Sequence, residues 1–547
     1  MAQPVAGPVR DAGSRLMPSA ATLATAMADA LAHLRAGRLA DVRAVCSDVL
    51  QAAPNHVDAL HLLGVVAQAE RDLPTAIELI SKSLTVNPRF AGAYASLGVV
   101  LGNNCQLEEA VRALRAALKL DPGLIDAHRH LLNCMLYLPG IDPAARLAAH
   151  LDFAARHQPA SERRLPPPDN DRDPDRRLRI GLLSSDFRAH PVARNLLSVF
   201  RGRDRAANEL LCYAELRAPD GYSEIIRANC DGWRSTVDLD DRAVAEMIRR
   251  DRIDLLVVLA GRFDNNRPLV ACYRPAPVQI SMFDGATTAL REIDYWITDP
   301  VLTPADSTER FTERLARLPM LVHYPAPSRA PAVAALPASR AGHVTFGSFN
   351  NPLKLSRATL ELWARVLRAV PDTRLALKYH GRLADPMLQA RLRMTLGGHG
   401  VDPGRIDFLT ADDDEATHLA AYGRIDIALD TMPFSGATSS FDALWMGVPV
   451  VTLAGDTMIS RMTAGLLAPV GLDELIADTP DAFVACAEAL ARDLGALATL
   501  RAQLRDRVRR SPLCDGRGYA RSLEALWRRL WQSWCAAPVY LDPAGNS

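Results

Sequence analysis

Two periodicities divide the chain. Up to about residue 157, apolar residues recur at helical spacing in stretches of about 15 residues punctuated by proline. From residue 178 the runs shorten to strand length: LRIGLLSS (178–185), ELLCYAEL (209–216), IDLLVVLAG (253–261), PVQISMF (277–283) and DYWITD (294–299). A helical stretch such as 241–251 separates some of them. After a Pro/Ala-rich segment, 325–341, a second series follows: HVTFGSF (343–349), TRLALKY (373–379), RIDFLT (405–410), IDIALD (425–430) and VPVVTLAG (448–455). Helices are predicted between these at about 356–370, 383–399, 415–422, 438–446 and 459–467. Strand–helix alternation of this kind predicts two successive doubly wound parallel sheets, with ligand at the carboxyl ends of the strands. Amphipathic stretches at 480–510 and 517–534 predict closing helices, with Trp527, Trp531 and Trp534 packed against the body.

The helical third is periodic at a longer scale. Pro54, Pro88 and Pro122 are 34 residues apart, as are Leu63-Gly64 and Leu97-Gly98, Ala76 and Ala110, and Ile80 and Leu114. This is the tetratricopeptide pattern: paired antiparallel helices, small residues at their crossing and proline after the second helix, which it cannot continue. Units are expected at 23–56, 57–90 and 91–124, with an incomplete fourth pair from 125 to about 157. Such arrays present a concave face to peptides or partner proteins and carry out no chemistry of their own.

Between the two parts, RRLPPPDNDRDPDRR in the stretch 159–177 offers almost nothing to bury and is expected to be a linker. The expected organisation is a tail (1–22), repeats (23–158), linker (159–177), first lobe (178–340), second lobe (341–535) and tail (536–547). With 547 residues, 49% hydrophobic and 23% charged, the chain has ample core for about three units. Its 63 basic and 63 acidic residues cancel, which argues against a nucleic-acid coat protein. No apolar run reaches membrane-span length, the first 20 residues lack a signal-peptide core, and nine scattered cysteines match neither a disulfide framework nor a zinc site. A reduced, cytoplasmic protein is the expectation. Only four of the basic residues are lysine: Lys82, Lys119, Lys354 and Lys378. Against an arginine background, a lysine is the more informative residue.

Four strand ends break into polar residues: SSDFRAHPVARN with His190, LAGRFDNNRP, FNNPLKLS with Asn350, Asn351 and Lys354, and ALDTMPFSGATSSFDALW. In the last, Asp430 ends a strand, a Gly-containing loop follows, and a helix opens near Thr438. Amide N–H groups at a helix start, with Thr438, Ser439 and Ser440, make a seat for a pyrophosphate, and Asp442 is placed to accept from ribose hydroxyls. No G-x-G-x-x-G follows the first strand and no G-x-x-x-x-G-K-[ST] is present, which disfavours a dehydrogenase and a P-loop ATPase. The D-x-D pairs Asp171/Asp173 and Asp238/Asp240 are at chance level, so no metal is assigned.

Repeats followed by RIGLLSSDFRAHPV, RPAPVQ, DYWITD, FGSFNNPLKLS, DIALDTMPFSGATSSFDALWMGVPVVTLAG and SPLCDGRGYA resemble the SPINDLY / protein O-GlcNAc transferase family over about residues 23–535. The resemblance implies an α-helical repeat array followed by an α/β GT-B glycosyltransferase with two Rossmann-like lobes. It also implies transfer of a sugar from a nucleotide donor to Ser/Thr of proteins, inverting and metal-independent, with no cofactor beyond the donor. By motif, Lys354 matches the lysine that neutralises the leaving diphosphate, and Asn351 a nucleotide-contacting amide. His418 matches a donor-site histidine, and Thr438, Ser439 and Asp442 match the phosphate- and ribose-binding group. His190 matches a catalytic or phosphate-side histidine. Two departures stand out. Ala437 replaces the histidine of the GlcNAc enzymes, and FDGATTAL replaces a glycine-richer loop while keeping Thr287 and Thr288, the sugar/acceptor-pocket candidates. UDP-GlcNAc is the leading donor, with GDP-fucose and UDP-glucose open. Transfer to a glycan intermediate and a non-catalytic repeat scaffold are the alternatives. Expected partners are acceptor proteins through the repeats, with a homo-oligomer left open.

Overall fold

A computed structural model of the chain describes residues 20–410 and 414–538. The N-terminal segment read as lacking a signal peptide, and most of the two expected tails, lie outside them. The chain forms two compact units that divide between Ala127 and His128.

The first unit is three helix pairs: Ala20–Arg35 with Leu39–Ala52, Val57–Ala69 with Leu73–Val86, and Ala91–Asn103 with Leu107–Leu120. The 34-residue register sets their crossings. A Cβ on Gly64 would fall 2.5 Å from Ile80, and one on Gly98 would fall 2.5 Å from Leu114, so each pair closes only because glycine stands there. Ala76, Ala110, Ile80 and Leu114 have no exposed surface. The fourth pair, Ile125–Tyr137 and Pro143–His157, was expected to continue the array, but the unit boundary falls within its first helix. Leu136 clusters with Ala286 and Ile459, and His150 Nδ1 lies 3.1 Å from the guanidinium of Arg262, so this pair packs as part of the second unit.

The second unit holds two parallel sheets. The first contains β1 (Leu178–Ser184), β2 (Asn208–Ala214), β3 (Gly232–Ser235), β4 (Leu255–Leu259), β5 (Val278–Met282), β6 (Tyr295–Thr298) and β7 (Arg314–Arg317) in the order 3-2-1-4-5-6-7. The second contains β8 (Thr345–Ser348), β9 (Arg374–Leu377), β10 (Ile406–Phe408), β11 (Ile427–Leu429), β12 (Val450–Leu453) and β13 (Ile476–Ala477) in the order 10-9-8-11-12-13. Each order reverses beside its first strand, between β1 and β4 and between β8 and β11. In doubly wound sheets this switch point opens the ligand crevice. The four polar strand ends of the sequence are those that follow β1, β4, β8 and β11. Strands β3, β7 and β13 escaped the sequence reading because they are short edge strands, and GWRS and RLAR carry no apolar run.

Two expectations need correction. The stretch 159–177 is a strap rather than a loose linker. Arg176 pairs with buried Asp254, Asn170 Nδ2 donates to the same carboxylate at 2.7 Å, and Leu165 N donates to Tyr273 O. Arg172 and Arg176 lie over the rings of Trp534 and Trp531 at 4.4 and 4.6 Å. The strap is held by hydrogen bonds and cation–π contacts, which need no apolar run and so leave no hydrophobic signal. The stretch read as one helix over 480–510 is two, Pro480–Arg492 and Leu494–Arg510, because the Asp493 side chain accepts Ala496 N at 2.9 Å and caps a new start. The last helix, Gly516–Ala536, buries Trp527 and Trp531 in the core of the first sheet, with Trp534 packed against that core, as expected.

Candidate donor site

The loop after β11 is built from its anchor upward. Asp430, buried at the strand end, accepts Gly436 N and Thr452 Oγ1, each at 2.7 Å, and so folds the loop back on itself. A Cβ on Gly436 would lie 2.1 Å from Ser440 Oγ, so the return is open only to glycine. Ser435 is tied by its N–H and Oγ to Ile459 O, which leaves its own carbonyl to accept Lys354 Nζ at 2.7 Å. Lys354 sits on the 3-10 turn Pro352–Lys354 after β8, with Nζ 4.3 Å from the Phe434 ring centroid. Burial pulls its ammonium down to about 8, with Asp430 opposing.

The helix Thr438–Trp445 then starts without a side-chain cap, at Ala437. Its first-turn N–H groups have no intrahelical partner, and its dipole is positive at that end. The hydroxyls that a sequence reading could equally assign to capping are used elsewhere. Thr438 Oγ1 lies 3.1 Å from Tyr324 OH, Ser439 Oγ donates to Asn350 Oδ1 at 2.7 Å, and Ser440 Oγ meets Thr463 Oγ1 at 2.9 Å. Asn351 Oδ1 accepts Leu353 N and caps the Lys354 turn.

Asp442, one turn along, is almost fully buried. Its Oδ1 accepts Arg194 Nη2 at 3.1 Å, and its Oδ2 is 3.8 Å from His418 Nε2. His418 Nδ1 lies 3.0 Å from Lys378 Nζ. An ammonium only donates, so Nδ1 accepts and the ring proton sits on Nε2, toward Asp442. Burial, with Lys378 second, holds this imidazole down to about 4, so it is neutral. The His380 ring is parallel to it within 9°, centroids 6.4 Å apart.

His190 belongs to the other sheet. It caps the helix Pro191–Gly202, its Nδ1 accepting Val192 N at 3.3 Å. In the neutral ring the proton is then on Nε2, 3.5 Å from Asp264, while Nδ1 is 3.8 Å from Asp186. Burial holds this ring below its ordinary value against both carboxylates. In that neutral form His190 presents an N–H donor from Nε2. Asp186, His190 and Asp264 are also the one group among the described residues whose ligand atoms, within 4.8 Å of one another, have the composition of a metal site.

Thr287 and Thr288, the sugar/acceptor-pocket candidates, lie in a buried hydrogen-bond network. Both are buried, both hydroxyls bond Glu313, and their carbonyls accept the guanidinium of buried Arg262. These bonds tie both hydroxyls and both carbonyls into a buried network with Glu313 and Arg262. The D-x-D pairs are structural: Asp171 Oδ1 accepts Asp173 N, Asp238 pairs with Arg217, and Asp240 caps the helix Asp241–Arg250.

Arg194, Tyr324 and Lys378 were not singled out for this site. Lys378 carried a usable signal, as one of four lysines and at the end of β9, the strand next to β8. Arg194, in an arginine-rich chain, carried none.

Comparison with known proteins gives three results. The sequence profile of the family described as Glycosyl transferase family 41 matches residues 161–324 and 335–523. The chain is 35% identical over 433 residues to a probable UDP-N-acetylglucosamine–peptide N-acetylglucosaminyltransferase SPINDLY of Arabidopsis thaliana, covering 77% of this chain and 46% of that protein. It is 29% identical to the corresponding SEC protein of the same plant, covering 66% of this chain and 38% of that one. The chain thus spans less than half the length of these curated relatives. Among solved structures, a mutant O-GlcNAc transferase of Thermobaculum terrenum superposes with a TM-score of 0.85 at 38% identity, over 94% of this chain and 98% of that one.

Proposed function

The chain belongs to glycosyl transferase family 41, and from that premise we propose that it transfers a sugar from a nucleoside diphosphate donor to serine or threonine hydroxyls of proteins. The observation that carries this reading is Lys354. It is a half-buried ammonium hydrogen-bonded to Ser435 O, in the loop that leads into a helix start with no side-chain cap. As the sugar–oxygen bond breaks, negative charge grows on the departing diphosphate, and preorganised donors there lower the barrier. Asp442 accepts from the ribose, and neutral His418 lies against the base. His190 supplies a further N–H to an anionic oxygen. The acceptor hydroxyl attacks from the opposite face as the sugar–diphosphate bond breaks, inverting the anomeric carbon, and its proton leaves to solvent or to the departing diphosphate. The names of the relatives favour UDP-GlcNAc as donor, and the repeats present the acceptor protein. No described helix is long and apolar enough to cross a membrane.

The test is transfer to protein acceptors read by intact mass, with UDP-GlcNAc, GDP-fucose and UDP-glucose in parallel, beside thermal shifts with each nucleotide. Neither transfer nor stabilisation by any of the three would end the proposal.

Charge balance at the diphosphate needs no ion when a lysine and a helix start already face it. Turnover is expected to survive excess EDTA, with magnesium or manganese changing it less than about threefold, well short of the 1.36 kcal/mol of a tenfold effect. Loss on chelation with recovery on manganese would redirect attention to Asp186, His190 and Asp264.

A form beginning at Asp121 keeps the whole second unit, including the helix pair that packs on Arg262. It is expected to bind nucleotide like the full chain and to glycosylate protein targets at least about tenfold more slowly. A form beginning at Asp175 strips the His150–Arg262 contact and most of the strap, and should unfold at a distinctly lower temperature. Equal transfer by the Asp121 form would remove the docking role of the repeats.

A further inference from the structure

We infer that Arg194 is a positioning residue of the donor site, reaching from the first sheet's helix Pro191–Gly202 to fix the Asp442 carboxylate for the donor's ribose. The inference rests on the reading of Asp442 as ribose acceptor proposed above.

Arg194 is itself fixed. It lies one turn beyond His190, its N–H bonded to His190 O at 3.0 Å. Its guanidinium carbon is 5.3 and 5.4 Å from the centroids of Tyr324 and Phe441, two rings stacked 4.5 Å apart. Tyr324 in turn reaches Thr438 Oγ1, so the same ring braces the arginine and the helix that carries Asp442. Only 14% of the Arg194 side chain and 7% of that of Asp442 are exposed. The bond of Arg194 goes to Oδ1, while Oδ2 is 3.8 Å from His418 Nε2, beyond hydrogen-bond range, and is the oxygen a ribose hydroxyl can reach.

A carboxylate this buried is driven toward its neutral form, and a neutral acid is a poor acceptor for a diol. Every group that faces Asp442 bears on this. Burial pushes its pKa up and Glu415 adds to the rise, while Arg194 opposes both. His418 is neutral, and the buried Tyr422 and Tyr324 are both raised above the ordinary phenol value, so neither phenol ionises. Among the described residues Arg194 is the cation bonded to this carboxylate. Without it, Asp442 takes up a proton at higher pH, and its side chain loses the bond that orients it.

The experiment is calorimetric titration of UDP into the full chain, R194M, R194K, D442N and the double variant R194M/D442N between pH 5.5 and 8. Because R194M removes a charge-assisted hydrogen bond that holds the carboxylate, it should bind UDP at least about tenfold more weakly at pH 7.5. That penalty should grow as the pH falls, since the unpaired carboxylate protonates first in the variant. R194K, which keeps the charge and loses the fork, should fall between. In the D442N background R194M should change affinity less than about threefold. Wild-type affinity in R194M, or as large a loss from R194M in the D442N background as in the unmodified chain, would overturn the inference. Undiminished UDP binding by D442N would instead remove the ribose reading, and the inference with it. Absence of UDP binding by the unmodified chain would sink the nucleotide-sugar reading first.

Discussion

Replacing Lys354 by alanine is expected to lower turnover at least about a hundredfold while the protein still folds. Two unit charges about 4 Å apart attract by about 4 kcal/mol at an effective dielectric constant near 20, and roughly 2.7 kcal/mol already makes a hundredfold. Folding should survive, because the half-buried side chain makes one described hydrogen bond, to Ser435 O. The same lysine sets a pH limit. Burial brings its ammonium down to about 8, so the group is charged below that value and loses its proton as the pH rises through it. Since kcat/KM reports the free enzyme, it should decline above about pH 8, and Lys354→Arg should abolish that decline while remaining slow. A Lys354→Ala protein with more than a tenth of the wild-type rate, or a profile flat to about pH 9.5, would exclude the buried ammonium as the source of the effect.

His190→Ala is expected to cost about a hundredfold in kcat, the usual loss when one preorganised donor to a developing anion is removed. The informative variant is His190→Asn. Asparagine caps a helix as well as histidine does and offers an amide N–H, but it cannot take a proton. If the ring acts as a donor, as its bond from Val192 N implies, the asparagine variant should run at least about fivefold faster than alanine. A general base would leave the two equally slow. Thermal unfolding of both variants separates the cap from the chemistry, since only alanine loses the cap, worth about 1 kcal/mol.

What could be read from the chain alone follows physical rules that act locally. The 34-residue register of Gly64 with Ile80 and Gly98 with Leu114 is a steric statement about two helices joined by a short turn, and the structure repeats it at 2.5 Å in both places. The apolar runs of β1, β4, β8 and β11 are central strands buried on both faces, which is why they stand out as unbroken runs. The edge strands β3 and β7 do not, because one side of each faces water. The strap at 159–177 was invisible for a related reason. Its hold on Asp254 and on the Trp531 and Trp534 rings comes from polar groups whose partners lie 78 to more than 350 residues away.

The candidate site divides in the same way. Lys354, Asn351, Thr438 and Ser439 could be proposed because each follows a strand end or opens a helix, Asp442 because it lies one turn into that helix, and His418 only through the family resemblance. Their chemistry was not legible. Whether Asp442 is ionised depends on Arg194, 248 residues earlier. Which nitrogen of His418 carries the proton depends on Lys378, and which nitrogen of His190 does depends on Val192 N. That Thr287 and Thr288 bond Glu313 and Arg262 depends on how a buried arginine is satisfied. Periodicity and spacing are properties of one segment and determine which element forms. Protonation, tautomer and the direction of a side chain are properties of a pair of segments brought together, and only the tertiary structure supplies the second member of each pair.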